Sequence, residues 1–581
     1  MRNLKLVALS AVVTALAVPS VASAQLFQDQ GAAGLPQGCG GTGCWTNYGR
    51  MTDYDGDGDL DLVAVNCGGF FSSPVAQPLV FWENSGTGTF TDNSVATGNL
   101  SAPLRQIAFG DIDGDGDLDF YAPSAGNVQP DRLFTQDAGT FTNQAATQLP
   151  AGLSSDAGAA RMGDLDNDGD LDLVVADGYI DDNAPPGSLY FNNGNGVFTV
   201  APTTIPSASG GNNPDDIDLV DVDGDFDLDI LFNNHQGQNV LWTNDGAGNF
   251  TDASSSLPAL DGGAFHYGPA FCDVDGDGDR DYFVDNAGDN YKEVLAINNG
   301  SGVFTDESAA RISGNSGADD NLVACIDYDG DGDFDFVVGS LQTQQRLFQN
   351  DGTGNFDIVQ GGFDGPTIPT LWLEFGDLNG DGRLDAFAAA GEGNPQTERF
   401  YFGGPDVAVD TRAPRIIATE PVALSSTDPT VIRFAVSDNA VTDEGPRLSR
   451  AFVLVGTDEI EATFVGGDLF RAEVPATPVR AFTACAVDLE GNVSAGCPGG
   501  TGEGGGGPGG GGPGGGGPST GGNGSGASQS SGGNQPGDST DSGSDDGCGC
   551  EVPSQGNAGT GGLAFAALAV GMALRGRRRR L

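Results

Sequence analysis

An all-β fold, a seven-bladed β-propeller with a small β-sandwich behind it, is predicted by three observations. A nine-residue acidic motif recurs seven times, short apolar runs follow each copy, and many of those runs end in an Asn-Gly or Asp-Gly turn. The first copy is Asp53-Tyr54-Asp55-Gly56-Asp57-Gly58-Asp59-Leu60-Asp61, and later copies start at Asp111, Asp164, Asp221, Asp273, Asp327 and Asp377. The starts lie between 50 and 58 residues apart, the period of a supersecondary unit rather than of a helix or coiled coil.

Within one unit, a run such as Leu171-Asp172-Leu173-Val174-Val175-Ala176 follows the motif. A second run then ends in a turn, as in Leu189-Tyr190-Phe191-Asn192-Asn193-Gly194, Leu241-Trp242-Thr243-Asn244-Asp245-Gly246 and Leu347-Phe348-Gln349-Asn350-Asp351-Gly352. Such turns match the twist of antiparallel hairpins, so each unit reads as four short strands, and four-stranded blades around an axis make a propeller. An aromatic residue opens the outer strand at Phe90, Phe141, Phe250 and Phe304. The seventh unit stops at Arg399-Phe400-Tyr401-Phe402-Gly403-Gly404 without one, whereas Phe27-Gln28-Asp29, ahead of the first unit, resembles the missing strand. The N-terminus is therefore expected to pair into the last blade and remove an exposed edge.

The motif Asp-x-Asp-x-Asp-Gly-x-x-Asp brings carboxylates at positions 1, 3, 5 and 9 and a backbone carbonyl at position 7 onto one hard cation, the oxygen shell calcium prefers. The expected ligands are Asp53, Asp55, Asp57, Asp59 and Asp61 in the first loop, and Asp111, Asp113, Asp115, Asp117 and Asp119 in the second. The third offers Asp164, Asp166, Asp168, Asp170 and Asp172, and the fourth Asp221, Asp223, Asp225, Asp227 and Asp229. The fifth offers Asp273, Asp275, Asp277, Asp279 and Asp281, the sixth Asp327, Asp329, Asp331, Asp333 and Asp335, and the seventh Asp377, Asn379, Asp381, Arg383 and Asp385. Up to seven Ca2+ ions are expected. Gly at position 6 supplies the turn's unusual backbone angle. Phe226 replaces it in the fourth loop, which predicts a distorted or weak site there. In the seventh loop Asn379 still offers an oxygen and Arg383 only its backbone, so that site is expected to survive with lower affinity. An EF-hand is excluded because the first two loops carry Ala64 and Ala122 where it needs Glu.

The units resemble FG-GAP or VCBS-type repeats, the propeller repeats of integrin α chains and of many bacterial surface proteins. The resemblance spans Leu26 to Pro405. It implies an adhesion module or a lectin and, less often, a scaffold for a lyase or phospholipase.

Domain organisation follows from composition. Residues 1–24 read as a signal peptide, with Arg2 and Lys5, an apolar run and Ala22-Ser23-Ala24 as the cleavage site, so Ala24 is its last residue. The propeller is assigned to 25–406. Residues 407–498 alternate as in Val431-Ile432-Arg433-Phe434-Ala435-Val436, which predicts a small sandwich acting as a spacer. Its segments Asp410-Thr411-Arg412-Ala413-Pro414 and Asp488-Leu489-Glu490-Gly491-Asn492 resemble the ends of bacterial immunoglobulin-like modules. Residues 499–547 are Gly/Pro/Ser-rich and cannot bury a core. In 548–581, Cys548 and Cys550 precede an apolar segment and an Arg cluster. That tail resembles the sorting signals of myxosortase-type proteases, which implies cleavage near one of those cysteines, with a single-pass membrane anchor as the alternative. Nine cysteines in an exported chain imply disulfides and at least one odd thiol, with Cys485 paired to Cys497.

Acidic residues number 81 against 24 basic, giving a formal charge of −57 that excludes nucleic acid as a partner. The chain has only His235 and His266, and no Gly-x-Ser-x-Gly elbow, which argues for a binding protein over an enzyme. A carboxylate pair acting on carbohydrate, or a purely structural display role, are the alternatives. The partner expected is an extracellular glycan or protein. Its contacts are placed on the face opposite the acidic loops, at Asp216, His266, Tyr267, Trp372, Tyr179, His235 and Tyr291. Arg105, Asp156, Asp177, Asp215, Asn234, Asn290, Asp319 and Asp320 are placed beside them.

Overall fold

The computed structural model describes residues 26–500, apart from 32–33, 37–42, 69–73, 128, 152, 154–156, 178–186, 204–205, 207–213, 236, 261–265, 288–290, 392–393 and 443–444. The expected leader up to Ala24, the Gly-rich stretch, Cys548, Cys550 and the terminal segment lie outside the described residues. Among the described residues no helix is long and apolar enough to cross a membrane.

The chain forms repeated four-stranded antiparallel sheets, the architecture of a β-propeller, with one acidic motif in each. In the third sheet, Ala157–Gly163 leads into the motif, Asp172–Asp177 leaves it, and Gly187–Phe191 and Thr199–Val200 complete the order outward. The first sheet is enlarged by Val75–Pro78 and Ser101–Ala102, and the sixth by Ile312–Ser313. The last sheet, Thr370–Gly376, Asp385–Ala390 and Arg399–Gly403, takes Phe27–Asp29 as its fourth strand. Phe27 stands opposite Gly403 and Asp29 opposite Tyr401, and Arg399 pairs with Asp29, so the chain's start closes its end as the sequence predicts.

Strand residues alternate between faces, and here both faces are buried. Leu62 packs with Phe387 and Phe400 of the last sheet, while its neighbour Val63 packs with Phe109 and Phe120 of the second. Val174 and Val175 divide in the same way between the fourth and second sheets. This is why the runs after each motif are continuously apolar. Cys272 and Cys325 tie the first strands of the fifth and sixth sheets in a disulfide that the sequence did not point to. Cys44 is also disulfide-bonded, and the buried Cys67 is a free thiol.

The segment after residue 407 is a sandwich of a four-stranded and a three-stranded sheet. Ile432, Phe434 and Val436 of one face Val453 and Ala486 of the other, and Cys485 bonds to Cys497. It is not a spacer. It lies on the acidic-loop face of the propeller, through backbone hydrogen bonds from Asp164 to Val465 (2.8 Å), Asp327 to Asn439 (2.7 Å) and Val441 to Cys325 (3.1 Å). At the hairpin tip, Gly466 has φ +114°, and a Cβ there would come within 2.9 Å of Gly163 Cα, so only glycine permits the approach.

Candidate metal centre

Each acidic loop is shaped by its own first carboxylate. In the first loop Asp53 Oδ1 accepts hydrogen bonds from the Gly56 (2.8 Å) and Asp57 (3.1 Å) amides, and Oδ2 from Gly58 (3.0 Å). Gly56 and Gly58 hold φ values of +77° and +96°, which explains the glycines at positions 4 and 6.

The ninth carboxylate is fully buried at the start of the second strand. Asp61 Oδ1 accepts from the Asn84 amide (2.8 Å) and Oδ2 from Tyr54 (3.3 Å), and Asp281 repeats this with Asn298 (2.9 Å) and Val274 (3.1 Å). Burial pushes the ninth carboxyl up to about 7 in Asp119, about 8 in Asp61, Asp172, Asp229, Asp281 and Asp385, and about 9 in Asp335. Such groups ionise at neutral pH when a cation takes up their charge.

The donor set fits a hard cation. Asp273, Asp275 and Asp281 offer oxygens within 4.8 Å of one another, as do Asp53, Asp55 and Asp57, and Asp164, Asp166 and Asp172. The third-position oxygens Asp113 Oδ1, Asp223 Oδ1, Asp275 Oδ1 and Asp329 Oδ1 are buried without a hydrogen-bond partner, as is Asp164 Oδ1. Buried carboxylate oxygens are costly unless something positive meets them. The seventh-position side chains lie at the outer turn, and Asp279 Oδ1 and Asp333 Oδ1 are also buried without a hydrogen-bond partner. Asp59, Asp170, Asp227, Asp279 and Asp333 lie over Gly86, Gly194, Gly246, Gly300 and Gly352 of the outer turn, and Asp117 accepts from Ala138.

The fourth loop is not distorted. Phe226 takes the left-handed conformation at φ +67°, and its amide still donates to Asp221 Oδ2 at 2.9 Å. Its ring is buried in a cluster with Leu228 and the sandwich residues Val465 and Leu469. Burying a Phe contributes about 1.5–3 kcal/mol, enough to offset a left-handed penalty of about 1–2 kcal/mol. In the seventh loop, Asn379 Nδ2 donates to Asp385 Oδ2 (2.9 Å), and the Arg383 side chain donates to the Val407 carbonyl while its Nε lies 3.9 Å from Asp381 of the same loop.

A further set of residues, read from the sequence only as turn formers, links the loops. Asn84 Nδ2 donates to Leu60 O in its own loop (2.9 Å) and to Leu378 O in the neighbouring sheet's loop (2.8 Å). Asn192, Asn244, Asn298 and Asn350 repeat this double bond, and Gln136 does so in the second sheet. The signal was in the sequence, as an Asn ahead of the turn glycine in unit after unit.

The face opposite the loops departs from expectation. Asp216 is buried and pairs with Arg161 (2.7 Å), so it is spent within the protein. His266 is also buried, its pKa lowered to about 4 by desolvation and by His235, and it does not present a charged ring to a ligand. Asp320 is buried against Arg346, and Arg105 and Asn234 are buried as well. The Trp372 indole is partly buried, with Nε1 donating to Glu374 Oε2 (2.9 Å) and its ring 4.5 Å from that of Tyr48. What the fold does assemble is His235 against Asp215 (2.6 Å) with the Tyr267 ring 5.0 Å away. Tyr291 is half-buried at φ +49°, and Tyr179, Asp156 and Asn290 lie outside the described residues, as does the Asp177 side chain.

Comparison with known proteins identifies the repeat. The FG-GAP-like repeat family matches residues 53–122, 124–175, 221–284 and 327–388. Those four segments of the propeller are similar to FG-GAP-like repeats. No curated protein matches the chain. Among solved structures, BBS1N in complex with ARL6DN, soaked with lead, is similar at 10% identity over 66% of this chain and 99% of that one, with a TM-score of 0.39. The V. cholerae biofilm matrix protein Bap1 is similar at 11% identity over 80% of this chain and 75% of its own, TM-score 0.31. The SapL1 lectin in complex with alpha methyl fucoside is similar at 12% identity over 55% of this chain and 98% of its own, TM-score 0.32.

Proposed function

We propose that the chain is an exported surface protein whose seven-bladed, calcium-loaded propeller binds an extracellular glycan or protein. The observation that carries the reading is the position of the sandwich: it occupies the acidic-loop face, so recognition falls to the opposite face, where His235, Asp215 and Tyr267 meet. An imidazole beside a carboxylate and an aromatic ring suits a sugar or a peptide side chain, with stacking and directed hydrogen bonds at one spot. The acidic loops hold up to seven Ca2+ ions through their first, third, fifth and ninth side chains, and calcium supplies the positive charge that lets those carboxylates lie together. The chain's own residues hold the loop turns, present the oxygens and tie each loop to its neighbour. In this reading the sandwich is immunoglobulin-like, residues 1–24 direct export, and the tail at Cys548 and Cys550 is sorted to the surface by a myxosortase-type protease or holds the protein in a membrane.

The test is a glycan and surface-protein array probed with the full chain. Binding is expected in calcium, lost in chelator, and abolished by His235→Ala with Tyr267→Ala at an unchanged melting temperature. Equal binding by that double variant would move recognition elsewhere, and release of product from a polysaccharide would replace the binding reading with an enzymatic one.

A further inference from the structure

We infer that the sandwich is a cap whose docking on the propeller is controlled by calcium; this rests on the calcium reading of the loops. Of the seven arginines between 407 and 498, five reach the acidic-loop face. Arg433 Nη1 lies 2.5 Å from Asp227 of the fourth loop and also donates to Phe226 O (2.8 Å). Arg415 lies 3.5 Å from Asp273 of the fifth loop. Arg412 donates to Gly330 O of the sixth (3.0 Å), and Arg471 packs on Gly169 of the third, where its charge acts on Asp164 and Asp170. Arg447 donates to Met51 O (2.7 Å) and Phe375 O (2.9 Å), in the first strands of the first and last sheets, and pairs with Glu374 (3.3 Å). In return Arg280, the eighth residue of the fifth loop, reaches out to Asp468 of the sandwich (2.6 Å from Nε).

Shape ties this interface to the ion. A loop of five aspartates that takes one Ca2+ keeps three negative charges, five minus two, and these face the arginines. Removing the ion leaves more negative charge facing the arginines, so charge alone does not release the sandwich, and the dependence on the ion lies in the shape of the loop. Several contacts are to loop backbone, at Phe226 O, Gly330 O and the Asp164 amide, so docking needs the loop's folded shape as well as its charge. Without the ion, crowded carboxylates repel one another, the turn loosens, and the surface that the arginines and the Gly466 hairpin fit is lost. A cavity of about 100 Å³ lies between the two, lined by Arg161, Asp218 and Glu374 of the propeller and Ser437, Pro446 and Asp468 of the sandwich.

Hydrogen exchange of the full chain, with calcium uptake followed by calorimetry on the same sample, tests this. On chelation the Val441, Asp410 and Asp164 amides, which bond across or beside the interface, should exchange at least about tenfold faster, while amides of Leu448–Val455 inside the sandwich stay protected. Arg433→Glu with Arg471→Glu should release the same amides in the presence of calcium while the ion still binds. If calcium binds and leaves, and Val441 keeps its protection, docking is independent of the ion and the inference is overturned. A chain that takes up no calcium overturns the loop reading as well.

Discussion

Asp281→Asn separates the two duties of a ninth-position carboxylate. Asp281 is fully buried, and its oxygens accept from Asn298 (2.9 Å) and Val274 (3.1 Å) while lying within 4.8 Å of Asp273 and Asp275 oxygens. The amide of Asn keeps one acceptor but turns an NH2 toward the second N–H. One buried donor is then unsatisfied, at a cost of about 1–3 kcal/mol whether or not the ion is present. Loss of one calcium site costs about 2.7 kcal/mol more when free calcium is 100 times the dissociation constant. Denaturant titration should therefore show a loss of roughly 4–6 kcal/mol in calcium but only about 1–3 kcal/mol in chelator. Equal losses in both would mean that Asp281 serves only as a hydrogen-bond acceptor, and the calcium reading of the fifth loop would be refuted.

Acid should stabilise the ion-free protein. The ninth carboxyls rise on folding from 3.8 to about 8, as in Asp172 and Asp229, so the folded chain holds protons that the unfolded chain has lost between those values. Stability then falls as pH rises through that window, and chelated protein should melt higher at pH 5 than at pH 8, whereas saturating calcium flattens the slope. Removing the Cys272–Cys325 bond by paired Ser substitutions releases a link between residues 53 apart, which should lower stability by up to about 4 kcal/mol in denaturant titration. Phe226→Ala keeps the left-handed strain and loses the buried ring, so it should cost about 3–5 kcal/mol, while Phe226→Gly should be milder by about 1 kcal/mol. If Gly proves the worse of the two, backbone strain is not what that position balances.

The propeller was legible because its information is local and repeated. Asp at fixed offsets, Gly at the strained positions and an apolar run after each motif specify loop and strand without reference to distant residues. The closing strand could be found because the seventh unit lacked an aromatic start and Phe27-Gln28-Asp29 supplied one. What could not be read is set by contacts between remote segments. Arg412, Arg415, Arg433, Arg447 and Arg471 are spread through an alternating sequence and converge only when the sandwich folds, so its docking left no motif. His266 and Asp216 looked available because they are polar residues near a loop. The structure buries both, the second against Arg161, which lies in the preceding sheet. Phe226 looked damaging by the backbone rule alone, since the sandwich residues that bury it lie more than two hundred positions away. Cys272 and Cys325 each sit inside an ordinary strand, where spacing gives no cue.

The measurement that bears most directly on the account is equilibrium dialysis of the purified full chain against calcium, with bound metal counted per chain. Seven intact loop turns, the fourth and seventh included, predict close to seven ions at saturation and no binding to a chain unfolded in denaturant. A folded chain that binds none would contradict the claim that these carboxylates are assembled around a cation.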